Sequence, residues 1–111
     1  MFVIIVAAVA AVGAWADTPR VALVGPPQLV PALKPWSAIV DISRHGRRLD
    51  GFRPVFTIST PEGPTRSFRG TELSSGRYRV QVVFPSPGVY SYTIAAPSAR
   101  SAHGTIVAVP S

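Results

Sequence analysis

The chain has 111 residues, among them 11 Lys and Arg, 5 Asp and Glu and no cysteine. This length suits a single domain, and the absence of cysteine excludes disulfides, thiolate metal sites and a cysteine nucleophile. Twelve prolines and nine glycines argue against a helical bundle and favour short strands joined by tight turns.

The first predicted element is a signal peptide over residues 1–16. Residues 2–13 are apolar almost without interruption, and Ala14 and Ala16 flank the larger Trp15, a pattern typical of a signal peptidase site. The apolar run is shorter than the roughly 20 residues of a transmembrane helix. We therefore predict cleavage after Ala16, export to the periplasm or the extracellular space, and a mature chain without a stable membrane anchor. The alternatives are an uncleaved anchor and a buried strand.

Alternation of apolar and polar residues dominates the predicted mature domain, residues 17–111. A period of two is typical of half-buried strands, and no stretch shows a clear helical period. We predict seven strands, over residues 20–24, 36–42, 54–59, 66–69, 78–84, 90–94 and 105–109. Seven short strands at this spacing indicate an all-β domain, either a two-sheet sandwich or a small barrel.

Residues 25–35 contain four prolines, and a proline has no N–H to donate to a neighbouring strand. We predict that this segment lies outside any sheet, as an extended crossover. Turns are predicted at residues 45–48, 61–64 and 85–88, which contain Gly or Pro.

Four aromatic residues, Trp36, Tyr78, Tyr90 and Tyr92, fall on the inward phase of the predicted strands. Aromatic side chains at such positions supply much of the buried area of a small domain. We predict that these four fill the core rather than form a platform for a ligand.

The segment over residues 87–92 reads Pro-Gly-Val-Tyr-Ser-Tyr. It resembles the start of the sixth strand of immunoglobulin-like domains, where a Gly-x-Tyr-x-Cys motif forms a corner and the tyrosine hydroxyl caps a nearby backbone group. The resemblance places Gly88 and Tyr90 at the corner. It places Tyr92 at the position of the disulfide cysteine, where the ring would fill core volume instead.

A longer pattern, roughly over residues 30–95, looks like the YtkA-like domains of bacterial envelopes. Those domains are immunoglobulin-like sandwiches distantly similar to CopC-type copper-handling proteins. The resemblance implies a seven-stranded immunoglobulin-like β-sandwich over residues 17–111. It rests on turn and core residues, so it bears on the fold more than on the activity.

CopC-type proteins bind copper through histidines and methionine-rich loops. Residues 17–111 contain no Met and no Cys, so a soft copper(I) site has no ligands here. We predict that the protein needs no cofactor. The alternative is a copper or other metal site at His45 and His103, since the corresponding loops lie at the same end of an immunoglobulin-like sandwich.

Catalytic motifs are absent from the sequence. It contains neither a Gly-x-Ser-x-Gly elbow nor a Gly-rich phosphate loop, and its five acids are isolated from one another. We therefore predict that the protein is not an enzyme.

Ten of the 11 basic residues are arginines. The candidate anion-binding residues are Arg44, Arg47 and Arg48 around one hairpin, and Arg77 and Arg79 on one strand. Arginine forks suit the sulfate, carboxylate or phosphate groups of an envelope polymer. The alternative is a solvated surface whose arginines reflect genomic base composition.

The sequence thus predicts an exported, non-catalytic binding module of the cell envelope. Its partner would be a protein or an anionic polymer, recognised through a surface or a strand edge. The export signal argues against a nucleic-acid partner.

Overall fold

The computed structural model describes residues 18–25 and 29–111. Regular structure in these two ranges consists of nine strands, without a helix. The strands are β1 (Arg20–Leu23), β2 (Leu29–Pro31), β3 (Trp36–Arg44), β4 (Arg47–Arg48), β5 (Val55–Ser59), β6 (Arg66–Ser74), β7 (Arg77–Val82), β8 (Gly88–Ala95) and β9 (Ala102–Val109). The predicted all-β class is confirmed.

The predicted signal peptide and its cleavage site lie outside the described residues. Within the described ranges, the chain forms no helix of the length and apolar character needed to span a bilayer.

The strands form one sheet in the order β1-β3-β7-β6-β5-β8-β9-β2, with the short β4 paired to β3. Neighbours are antiparallel except β2, which runs parallel to β9. Strand β6 is shared, because residues 66–69 pair with β5 and residues 70–74 pair with β7. It divides the sheet into half A (β1, β3, β4, β7 and residues 70–74) and half B (residues 66–69, β5, β8, β9 and β2).

The sheet curls so that the inner faces of half A and half B meet around one core. Trp36 of half A lies edge-on to Phe56 of half B, with the ring centroids 5.9 Å apart. Successive residues of a strand face opposite sides, which explains why every second residue is buried. The larger buried apolar residues are Val21, Val30, Val40, Ile42, Phe56, Ile58, Tyr78, Val80, Val82, Phe84, Tyr90, Ile94 and Ile106.

Backbone hydrogen bonds also connect the start of β1 to the chain between β8 and β9. The N–H of Val21 donates to the carbonyl of Arg100 at 3.0 Å, and the N–H of Arg100 donates to the carbonyl of Pro19 at 2.8 Å. The outer strand of half A, β1, is therefore hydrogen-bonded to the chain between β8 and β9 of half B. Arg20 lies beside Arg100.

The prediction that residues 25–35 lie outside any sheet is wrong for part of this segment. Residues 29–31 form β2, which is parallel to β9 with Leu29 opposite Val107 and Pro31 opposite Val109. Pro31 is tolerated because β2 is an edge strand with β9 as its one neighbour in the sheet order. With β2 and β4 included, the described chain has nine strands rather than seven, and β6 extends to Ser74, five residues beyond its predicted end.

The four aromatic residues predicted for the core occupy two kinds of position. Tyr78 and Tyr90 are buried, whereas Trp36 and Tyr92 are half-buried and pack against the core. Tyr92 stacks on Phe56 with ring centroids 5.3 Å apart. The hydroxyl of Tyr90 donates to the carbonyl of Ser86 at 2.8 Å, four residues earlier in the chain and just before Gly88 opens β8.

Candidate anion-binding site

The hairpin between β3 and β4 holds arginines at its tip. Its loop has two residues, His45 and Gly46, with φ angles of 52° and 76°. Positive φ at both central residues is the property of a type I′ turn, whose twist matches that of the flanking strands. Glycine adopts this region freely, and histidine does so more often than most residues. The short loop places Arg44 and Arg47 directly opposite each other.

Arg44 and Arg47 are therefore a cross-strand pair of like charge, and both are exposed. Like charges in directly opposite positions of neighbouring strands destabilise a sheet. A doubly charged anion held by both guanidinium groups would remove this repulsion and add charge-assisted hydrogen bonds. The hairpin tip would thus gain stability if an anion bound to both side chains.

The start of β1 lies beside this hairpin and completes a pocket. Strand β1 pairs with β3 so that Arg20 lies opposite Ser43. The pocket has a volume of about 430 Å³ and is lined by Thr18, Arg20, Ser43, Arg44, His45 and Gly46. Two guanidinium groups, one imidazole and two hydroxyls therefore surround the space, and none of these lining residues carries a carboxylate. Such a lining attracts anions and offers them hydrogen-bond donors.

Further arginines surround the pocket. Arg48 lies opposite Ser43 across the hairpin, and Arg100 lies beside Arg20. We use the name basic end for five exposed residues, Arg20, Arg44, Arg47, Arg48 and Arg100. They come from three separate parts of the chain, which the fold brings to one end of the sheet.

Arg77 forms an ion pair with Asp41. Its Nε donates to Oδ1 of Asp41 at 2.8 Å and its Nη2 donates to Oδ2 at 3.0 Å, so the pair is bidentate. These hydrogen bonds hold the pKa of Asp41 below its ordinary value, and the charge of Arg48 acts in the same direction. Arg79 is exposed on the same strand, between Ile39 and Thr71 of the neighbouring strands. We leave Arg77 out of the candidate site because Asp41 binds its guanidinium group, and Arg79 because its cross-strand neighbours, Ile39 and Thr71, do not belong to the hairpin or to the start of β1.

We predict that the Asp41–Arg77 pair contributes to the free energy of unfolding and that this contribution is lost in acid. Because the folded pKa of Asp41 is lowered, its contribution is present above the ordinary Asp pKa of about 4 and is lost as pH falls through the folded pKa. We expect Asp41→Asn to lower the free energy of unfolding slightly at pH 7 and to have less effect near pH 2, as measured by urea unfolding. A difference between the two proteins that stays constant over this range would contradict the prediction.

The structure does not bring the two histidines together. Arg20 lies opposite Ser43 on one side and beside Arg100 on the other. His45 is two residues past Ser43 in one direction, and His103 is three residues past Arg100 in the opposite direction, so about 16 Å separates them along the strands. A shared zinc or copper ion needs imidazole nitrogens within about 2.1 Å of it.

The described ranges also lack a larger cluster of metal-ligating side chains. Residues 18–25 and 29–111 contain no group of three or more His, Cys, Asp or Glu side chains arranged to hold a metal ion.

Two arginines of the basic end were not among the sequence candidates. Arg20 begins a predicted strand and Arg100 precedes another, and neither is near the hairpin in the sequence. Their position depends on the contact between β1 and the β8–β9 connection, which joins residues 80 positions apart. A local pattern of residue types carries no signal for such a contact. In the sequence, the excess of arginine over lysine was the feature that indicated a basic surface.

A comparison of the chain with protein-family models and with curated proteins found no match. The residues of the basic end and the fold that positions them are therefore the basis for inferring a function.

Proposed function

We propose that the protein is a non-catalytic binding module that takes an anionic group at the basic end. The observation that carries the proposal is the pocket, where Arg20, Arg44 and His45 are among the described lining residues and none of the six described lining residues carries a carboxylate. The Arg44–Arg47 pair at the hairpin tip adds a second guanidinium opposite the first. Phosphate, sulfate and carboxylate groups match the fork of an arginine side chain.

An immunoglobulin-like sandwich of the YtkA-like type is the fold that we propose for this module. When the short β2 and β4 are set aside, seven strands remain, in the order β1-β3-β7-β6 in half A and β5-β8-β9 in half B. This order corresponds to the A-B-E-D and C-F-G sheets of immunoglobulin domains. The hydrogen bond from Tyr90 to the Ser86 carbonyl also matches the tyrosine corner of those domains.

We further propose that the module is exported and acts in the cell envelope. The support is the signal-peptide pattern of residues 1–16, an apolar run followed by Ala-Trp-Ala. Envelope polymers carry phosphate, sulfate and carboxylate groups at high density, which suits a basic surface that has several arginines and one pocket. Loops at the ends of a β-sandwich are common binding surfaces, since the sheets hold them rigidly.

The proposal predicts that Arg44→Ser combined with Arg47→Ser weakens the binding of inorganic phosphate at least tenfold. Each charge-assisted hydrogen bond contributes about 1.5–3 kcal/mol, and a tenfold change in affinity corresponds to 1.4 kcal/mol. Binding to the folded state raises the melting temperature, so a phosphate titration at constant ionic strength measures the affinity. Without phosphate, the variant should be as stable as the parent chain or slightly more stable, because it has lost a pair of like charges.

The matched control replaces Arg66 and Arg69 by serine. These residues are exposed on β6, outside the pocket lining, and the change in net charge is the same. The control should bind phosphate nearly as well as the parent chain. Equal losses in the two double variants would show that net charge alone attracts phosphate, and the proposed site would be rejected.

A further inference from the structure

The apolar N-terminal run and the basic end are adjacent. The run covers residues 2–13, and Thr18, which lines the pocket, is five residues after Gly13. Arg20 is seven residues after Gly13, and seven fully extended residues span at most about 25 Å. While residues 2–13 lie in a bilayer, as a signal peptide or as an anchor, Arg20 therefore cannot be far from the lipid headgroups.

The charges of the basic end are suited to a surface of anionic headgroups. Its five arginines are exposed on three chain segments at one end of the sheet. Two acids of the neighbouring strands are already engaged, because Asp41 holds Arg77 and Oε1 of Glu72 accepts from the N–H of Gly51 at 2.9 Å. Several exposed arginines on one side of a domain strengthen its binding to an anionic membrane, since each adds to the same electrostatic attraction.

We propose that the basic end binds the phosphate headgroups of anionic phospholipids and holds the folded domain against the membrane that its N-terminal segment enters. This inference rests on the proposed anion site and names its ligand. The pocket of about 430 Å³ admits one headgroup phosphate between Arg20 and Arg44. Arg47 and Arg48, which are exposed on β4, would face neighbouring headgroups. A lipid is favoured over a free polymer because residues 2–13, for as long as they remain attached to the domain, bring a membrane to this end of it.

The test is co-sedimentation of the full chain with vesicles of phosphatidylcholine alone and of phosphatidylcholine mixed with phosphatidylglycerol. The apolar run contributes equally with both kinds of vesicle, so the ratio of the two partition coefficients reports the headgroup charge. We expect a ratio of at least ten for the parent chain at low salt, decreasing as salt is added. Replacing Arg20, Arg44 and Arg47 by serine should reduce the ratio to below three.

The control variant replaces Arg66, Arg69 and Arg79 by serine, which removes the same charge from exposed residues outside the pocket. It should keep a ratio near that of the parent chain. All six arginines are exposed, and an unchanged melting temperature verifies that each variant is folded. Equal losses in the two triple variants would overturn the inference.

The inference and the proposed function fail in different ways. If the chain binds inorganic phosphate as proposed but does not prefer phosphatidylglycerol vesicles, the lipid inference is rejected and the anion site stands. If it prefers a soluble polyanion such as heparin to these vesicles at equal ionic strength, the ligand is a polymer and the lipid inference is again rejected. If neither phosphate nor anionic vesicles bind, both proposals are rejected.

Discussion

Replacing Gly76 by alanine should lower the free energy of unfolding by about 3 kcal/mol, since a left-handed backbone and a steric clash coincide there. Gly76 is buried in the turn between β6 and β7, and its φ is 69°. An added Cβ would lie 2.7 Å from the backbone carbon of Arg48, and closer still to the Arg48 Cβ and the backbone nitrogen of Leu49. These atoms belong to β4 and the residue after it, so the hairpin of the basic end would have to move.

Gly46→Ala provides the matched control. Gly46 has a similar φ of 76°, but no atom lies within 4 Å of its added Cβ. Gly46→Ala should therefore lower the free energy of unfolding only by the cost of the left-handed backbone, about 1–2 kcal/mol. Urea unfolding of both variants separates the two contributions, and equal losses would show that the contact between Gly76 and β4 does not limit the substitution.

Replacing Tyr78 by phenylalanine should lower the free energy of unfolding by about 2 kcal/mol. The ring is completely buried, and its hydroxyl donates to the Leu49 carbonyl at 2.8 Å and accepts from the Phe52 N–H at 3.1 Å. Phenylalanine keeps the ring but leaves both backbone groups without their partner. The hydroxyl therefore ties the segment after β4 to the core, beneath the basic end.

Tyr92→Phe is the control for this change, because the Tyr92 hydroxyl forms no hydrogen bond among the described residues and its ring is half-buried. Its effect should be below about 0.5 kcal/mol. A loss for Tyr78→Phe as small as that of the control would contradict the proposed role of the hydroxyl.

Alkaline pH gives a second readout for Tyr78. Burial raises the pKa of its hydroxyl. The associated stability is present below the ordinary tyrosine pKa of about 10 and is lost as pH rises through the folded pKa. The difference in unfolding free energy between the parent chain and Tyr78→Phe should therefore shrink above pH 10. A difference that does not change with pH would argue against this linkage.

Much of the fold was accessible from the sequence because burial alternates along a strand. Val40 and Ile42 on β3, and Val80 and Val82 on β7, are buried as the period of two predicted. Such a pattern records which side of a strand faces the core, whatever its neighbours are. It does not record which strands are neighbours, and this is where the predictions were incomplete.

The candidate site depends on which strands are neighbours in the sheet. Asp41 lies opposite Arg77 because β3 pairs with β7, and the two residues are 36 positions apart in the sequence. Arg20 reaches the pocket because β1 pairs with the end of β3. The arginines of the hairpin could be predicted from a local turn signal. The pairing of Asp41 with Arg77 and the position of Arg20 in the pocket could not, because both depend on which strands are neighbours.

The sharing of β6 between the two halves sets a limit on how this protein can be divided. Residues 66–69 and 70–74 are one continuous strand, and each part is hydrogen-bonded into a different half. A recombination point or an engineered junction between the halves would have to cut that strand in two, leaving each fragment with an incomplete edge. The unit that evolution or a protein engineer can transplant with the basic end is therefore the entire curled sheet.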